Sequence, residues 1–414
     1  MSSISREEEN IKVAVRIRPI QRNEIKDGDF SCVKPGIDGK EIQVKVGPLD
    51  AHVYRCNRCF PIDTTQQIFF NECGITSLLD SAIQGYRTCI FAFGQTGAGK
   101  TFTMIGYPKS TALSIREKHE HIGLIGRSLE YLFYSLNSLK DNSNSNNSNS
   151  TNSNNYSIKL SCTEIFNEQV FDLLCDDKER IPLAVREHNT DGFYLEGCKL
   201  IDCMMNYDVA CTALDAAVKN RQTGTHDLNQ RSSRSHCLIE IHIEIPVVND
   251  NNNVNGMIDN NHNDNNNNNN NKSRGSSRSS SRNSKHHYND DINEARVKDT
   301  SYQQGQQQQQ YITKGKVTLV DLAGSERLKS TKSTGKVLQE AGFINKSLYV
   351  LGKVIAGLVR TNGDLNHKDV PYRDSKLTRL LIGSLGGRSR TLLISCVSEA
   401  KSSQAETLRT LKFR

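Results

Sequence analysis

Gly94-Gln95-Thr96-Gly97-Ala98-Gly99-Lys100-Thr101 fits the spacing Gly-x4-Gly-Lys-Ser/Thr. Such a loop wraps its backbone N–H groups around phosphate oxygens, sets a lysine near the β and γ phosphates, and offers a hydroxyl to Mg²⁺. The six residues in front, Thr88-Cys-Ile-Phe-Ala-Phe93, form a short apolar run of buried-strand type, so the loop joins a strand to a helix whose N-terminus favours anions. The chain is therefore committed to a nucleoside triphosphate.

Working outward, apolar and polar residues alternate over Ile11, Val13, Val15 and Ile17, a half-buried strand that ends at Pro19. Residues 66–83 carry apolar groups from Ile68 to Ile83 at helical spacing, with Gly85 as a stop. A helix is predicted over 126–139, strands over 156–164 and 237–247, and a short apolar strand over 317–320 that delivers Asp321 to its end. Strands alternating with helices predict an α/β fold, a central mixed, mostly parallel sheet with helices on both faces. Ligands in such sheets lie at the carboxyl ends of strands, where Gly94 and Asp321 would meet.

Two stretches resist folding. Residues 141–155 are almost wholly Asn, Ser and Thr, and 249–310 run through Asn, then Ser and Arg, then Gln. Neither can bury enough apolar surface to offset chain entropy, so both are expected to be disordered insertions. The net charge is +7, and residues 312–414 carry 19 Lys and Arg against 8 Asp and Glu, which suits an extended acidic partner. The twelve cysteines include one Cys-x2-Cys, Cys56 to Cys59, without the second pair that zinc needs, so reduced thiols are expected. The N-terminus lacks an apolar leader and no apolar run approaches a membrane span, which reads as cytoplasmic.

Two further clusters carry chemistry. Asp321-Leu-Ala-Gly-Ser-Glu326 places an acid for the Mg²⁺ shell, through water, and a Gly324 N–H that no Cβ obstructs. Asn229-Gln-Arg-Ser-Ser-Arg-Ser-His236 collects Asn229, Ser232, Ser233 and Arg234, groups that position water and stabilise charge in phosphoryl transfer.

With Arg16-Ile-Arg-Pro19, Ile344-Asn-Lys-Ser-Leu348 and Val370-Pro-Tyr-Arg-Asp-Ser-Lys-Leu-Thr-Arg-Leu-Leu381, these motifs resemble the kinesin motor domain, a P-loop NTPase fold, in the family's own order. The resemblance spans 11–414, after an N-terminal extension at 1–10 and apart from the insertions. It implies a microtubule-stimulated ATP hydrolase using ATP and Mg²⁺, sited in the cytoplasm on microtubules of a spindle or axoneme. Arg16, Pro19 and Phe102 would flank the adenine, and Arg18 would join them in binding the nucleotide. Residues 229–236 would be switch I, with Ser233 near Mg²⁺ and the attacking water, and Asp321–Glu326 switch II, with Gly324 sensing the γ-phosphate. Arg234 and Glu326 would close the site as an ion pair. Lys346, Lys353, Arg373, Lys376 and Arg379 would face α/β-tubulin.

Cys162 and Phe166 depart from the family's aromatic and Tyr, substitutions expected to affect packing. The Gly-Ala-Gly loop and Gly126-Arg-Ser-Leu129 look similar to the kinesin-8 class, which adds filament-end depolymerisation to motility. The neck linker and coiled-coil stalk would follow Arg414, so the chain by itself is expected to be monomeric and a full-length protein dimeric. A microtubule-binding module without hydrolysis is the alternative. A GTPase is disfavoured, because Asn345-Lys-Ser-Leu348 lacks the Asp of the guanine motif.

Overall fold

The computed structural model describes residues 11–106, 120–144, 156–175, 180–188, 192–203, 205–223, 233–248, 310–326, 336–361 and 370–413. The strands are β1 (Ile11–Arg18), β2 (Val33–Pro35), β3 (Glu41–Lys45), β4 (Ala51–Arg55), β5 (Arg58–Phe60), β6 (Arg87–Phe93), β7 (Ser157–Phe166), β8 (Gln169–Asp172), β9 (Val185–His188), β10 (Gly192–Leu195), β11 (Ile201–Asp202), β12 (His236–Val248), β13 (Gln310–Asp321) and β14 (Arg390–Ser398). The helices are α1 (Arg22–Lys26), α2 (Gln66–Glu72), α3 (Ile75–Ile83), α4 (Lys100–Met104), α5 (Leu124–Asn144), α6 (Tyr207–Thr223), α7 (Lys336–Arg360), α8 (Lys376–Leu385) and α9 (Gln404–Leu411).

The main sheet has the order β11-β7-β12-β13-β6-β14-β1-β5, with β8 beside β7. β13, β6, β14, β1 and β5 run parallel, while β12, β8 and β11 pair antiparallel to β7. The parallel strands are covered on both faces, and β6 and β14 accordingly read as near-continuous apolar runs. Along β6 the side chains part by twos. Ile90 and Ala92 join Phe69, Leu79, Leu129 and Leu132 under α2, α3 and α5, whereas Cys89, Phe91 and Phe93 join Leu351, Val354, Leu377 and Leu381 of α7 and α8. Each such fully buried aliphatic contributes about 1.5–3 kcal/mol.

Three features differ from the sequence reading. The helical pattern over 66–83 is two helices, because Gly74 takes a left-handed φ of +90° between them. α5 runs on through Asn144, so the first four residues of the 141–155 stretch are helical, while 145–155 lie outside the described residues. Gly342–Arg360 is long and apolar enough for a membrane span, yet half of it is buried, and its Ile344, Leu348, Leu351, Val354 and Leu358 belong to the core beneath the sheet.

Residues 11–245 and 313–414 include all the elements around the loop and form one compact unit, with Pro246–Ile312 a second. The 249–310 insertion, except Gln310, lies outside the described residues. The C-terminal Phe413 stacks on Phe93 at 3.8 Å between ring centroids and packs against Gly352.

Candidate functional site

β6 ends at Phe93, and the chain turns through Gly94 at φ +150°. A Cβ there would collide with the Cys396 carbonyl of β14, so only glycine lets the loop leave between these strands. Gly97 and Gly99 take φ of +78° and +95°, and a Cβ on either would meet nothing within 4 Å. Conformation rather than crowding selects glycine there, and the loop faces open space. Lys100, 6 % exposed, donates to the carbonyls of Gly94 (2.8 Å) and Gln95 (2.9 Å). Burial pushes its pKa down, while the charges of Asp321 and Glu326 pull it back up. The Gln95 amide donates to Ser403 Oγ at 2.8 Å, tying the loop to the segment that starts α9.

Beside the loop, Thr101 Oγ1 donates to Asp321 Oδ2 at 2.8 Å. The same oxygen accepts from Arg221 Nη1 at 2.7 Å, and Arg221 Nη2 also donates to the Ser235 carbonyl at 3.3 Å. Arg221 is a functional residue the sequence reading missed. It stands near the end of α6, one hundred residues from Asp321, with no motif around it to mark it. Asp321 is 1 % exposed, and its Oδ1 has no hydrogen-bond partner among the described residues. A hydroxyl beside a carboxylate with an oxygen to spare fits a hydrated Mg²⁺. Asn229 and Ser232 lie outside the described residues.

The turn after Asp321 is held by three successive N–H groups. Ala323 donates to His236 Nδ1 at 3.1 Å, Gly324 to the Ser233 carbonyl at 2.8 Å, and Ser325 to the Gly94 carbonyl at 3.1 Å. Glu326 accepts from Thr96 N at 2.8 Å and from Thr96 Oγ1 at 2.5 Å. Thr96 thus holds Glu326, the residue expected to pair with Arg234, in this conformation. A Cβ on Gly324 would run into Thr96 Oγ1 and the Glu326 carboxylate. Its N–H, expected to face a γ-phosphate, is spent on Ser233.

A cavity of about 590 Å³ opens over the loop, lined by Arg16, Arg18, Pro19, Thr96–Thr103 and Ser233. Ile17 also lines it, and Ile20, Gln21, Ile62, Asp63 and Thr64 complete its wall, the last five with no motif to mark them. The Arg16 guanidinium turns inward. It donates to Gln66 Oε1 (2.8 Å), Thr103 Oγ1 (3.2 Å) and the Thr64 carbonyl (3.2 Å), and stands over the rings of Phe69 and Phe102. Burial lowers its pKa. Arg18 is likewise engaged, with both nitrogens on Glu24. Both arginines brace the wall that Pro19 and Phe102 present to the cavity.

The family model of the kinesin motor domain matches residues 16–261 and 248–414. The chain belongs to the kinesin motor family. It is 34 % identical over 408 residues to the mouse chromosome-associated kinesin KIF4, covering 97 % of this chain and 26 % of that protein. It is 33 % identical over 405 residues to the rice kinesin-like protein KIN-1, covering 98 % of this chain and 67 % of that one. The chain thus spans about a quarter of the mouse relative and two thirds of the rice one. Among solved structures, a fast kinesin superposes with a TM-score of 0.69 at 30 % identity, covering 97 % of this chain and 89 % of that one.

On this kinesin motor domain the C-terminal basic residues divide. Lys346 and Lys353 are exposed along one face of α7 with Phe343, Tyr349 and Arg360, and Lys353 Nζ lies 4.6 Å from the Tyr349 ring centroid. Arg373 is exposed but paired with Glu187 of β9 at 2.7 Å. Arg379 and Lys376 are half-buried. Arg379 Nε donates to the Arg373 carbonyl, and the Lys376 N–H to Glu168.

Proposed function

We propose that this motor domain hydrolyses ATP and that its turnover is stimulated by microtubules. The observation that carries the reading is the row of N–H groups at Ala323, Gly324 and Ser325, which ties one turn to His236, to Ser233 and to the phosphate loop at once. A ligand that draws the Gly324 N–H off Ser233 moves all three attachments together, as a nucleotide-sensing switch requires.

Gly94–Thr101 and Lys100 would bind the triphosphate, and Thr101, Ser233 and Asp321 the Mg²⁺ shell. Mg²⁺ supplies charge neutralisation at the phosphate oxygens. Arg221 holds Asp321 in place. Ser233 lines the cavity where water would be positioned, and Arg234 is proposed to take Glu326 from Thr96 when the site closes. Pro19, Ile62 and Phe102 form an apolar wall suited to a base, and Arg16 sets the ring of Phe102. Lys346 and Lys353, with Arg373, Lys376 and Arg379 around them, supply the cationic face for acidic tubulin.

Phosphate release with and without microtubules tests the reading. Release stimulated at least tenfold is expected, and none would leave a binding module. Equal use of GTP and ATP would reopen the choice of base. Imaging of stabilised microtubules with this chain and ATP separates gliding from end depolymerisation.

A further inference from the structure

His236 is the first residue of β12, 2 % exposed, and both its ring nitrogens are engaged. The Ala323 N–H donates to Nδ1 at 3.1 Å, so the neutral ring carries its proton on Nε2. That N–H faces Ser347 Oγ at 2.8 Å, and the Ser347 hydroxyl passes its own proton on to the Ile344 carbonyl at 2.8 Å. The bonds share one direction, from Ala323 through His236 and Ser347 to Ile344, an arrangement in which each polarises the next. Burial, reinforced by the charges of Arg221 and Lys100, lowers the imidazole pKa to about 3, so the ring keeps this neutral state at physiological pH.

The three anchored elements have different tasks. Ala323 precedes Gly324, whose N–H is held by Ser233. Ser347 and Ile344 lie on α7, on the buried side of the helix whose other side exposes Lys346, Tyr349 and Lys353. Beside this chain the sheet and α7 share an apolar cluster, in which Val320, Leu322 and Ala323 join Ile344, Leu348 and Leu351. Apolar contacts let surfaces slide, whereas a directed hydrogen-bond chain fixes register.

We propose that His236 is a positioning residue that transmits displacement of the Ala323–Gly324 turn to the filament-facing helix through Ser347, and so couples the switch to microtubule stimulation. This inference rests on the motor-ATPase reading. The dependence is testable, because the wild-type domain must itself show stimulation before any variant is judged.

The two halves of the chain can be cut separately. In His236→Asn the amide oxygen lies as many bonds from Cβ as Nδ1 does, so it can still accept from Ala323, but it cannot reach Ser347. Ser347→Ala removes one hydroxyl from a buried position and adds no volume, and Ser347→Thr restores the hydroxyl. The expected result is a fall of about tenfold in microtubule-stimulated kcat for Ser347→Ala and His236→Asn, on the scale of one buried hydrogen bond. Turnover of Ser347→Ala without microtubules should stay within about twofold of wild type, and so should its half-saturating microtubule concentration. The double variant should be no worse than the more severe single one, since both cut one chain, and Ser347→Thr should recover most of the stimulation. Full stimulation in Ser347→Ala, multiplicative losses in the double variant, or equal falls in basal and stimulated turnover would each overturn the proposal. Should His236→Asn fail to fold, Ser347→Ala against Ser347→Thr decides it. Absent stimulation in the wild type would instead sink the motor-ATPase reading.

Discussion

Removing Arg221 should cost this domain far more stability than removing any exposed arginine. Two ion pairs have the same N–O separation, 2.7 Å, and opposite surroundings. Arg221 and Asp321 have side chains 4 % and 1 % exposed, whereas Arg373 and Glu187 are 61 % and 48 % exposed. Water screens the second pair, which is worth about 0–1 kcal/mol. Cutting the first leaves Asp321 as a buried charge with Thr101 Oγ1 as its remaining hydrogen-bond partner among the described residues, a situation that costs about 3–5 kcal/mol. Arg221→Ala should therefore lower the unfolding free energy by about 3–5 kcal/mol and the melting temperature by roughly 4–7 °C, while Arg373→Ala moves either only slightly. Urea unfolding followed by circular dichroism reads both variants under one condition. The double variant Arg221→Met with Asp321→Leu should recover most of the stability, because the uncompensated charge is gone, yet it should not hydrolyse ATP. A loss below about 1 kcal/mol in Arg221→Ala would refute the reasoning.

Gly324→Ala must displace Glu326 from Thr96, and should bind a fluorescent ATP analogue while releasing phosphate about 100-fold more slowly. Normal turnover would contradict the role given to Gly324. Lys346→Ala with Lys353→Ala should raise the half-saturating microtubule concentration severalfold and keep the extrapolated kcat, with a shallower salt dependence. A fall in kcat alone would place these lysines elsewhere in the cycle. Stability should also report His236. Its folded pKa, about 3, lies below the unfolded value of about 6.5, so the unfolded chain takes up the proton first and stability falls as pH drops from about 6.5 towards 3. At pH 5 the loss is about 2 kcal/mol, and His236→Asn should lack that component in urea titrations at pH 7.5 and 5.

Much of this molecule was legible along the chain. The loop Gly94–Thr101, the strand before it and the acid at Asp321 are local patterns, because phosphate binding needs glycines, a lysine and a hydroxyl at fixed spacing within one turn. The period-two runs in β1 and β12 declared their strands, since each must hide an apolar face. The helix pattern over 66–83 misled because Ile75, Leu78 and Leu79 resume helical spacing beyond Gly74, and spacing does not record a turn in φ. The arginines at 16 and 18 were legible as site residues but not in their manner of acting, since the groups that hold them, Gln66, Thr103 and Glu24, come from other elements.

By itself the sequence determined that this chain builds a nucleotide loop at the carboxyl ends of strands in a mixed sheet and carries a basic C-terminal quarter. The tertiary structure alone decided which groups meet across it. Arg221 reaches Asp321 from a helix one hundred residues away, His236 links Ala323 to Ser347, and Gly94 is confined by the Cys396 carbonyl. Such contacts depend on how β6, β13 and β14 lie side by side and on which helices cover them. Residue spacing carries no information about neighbours brought together by folding, and at those junctions the chemistry is tuned.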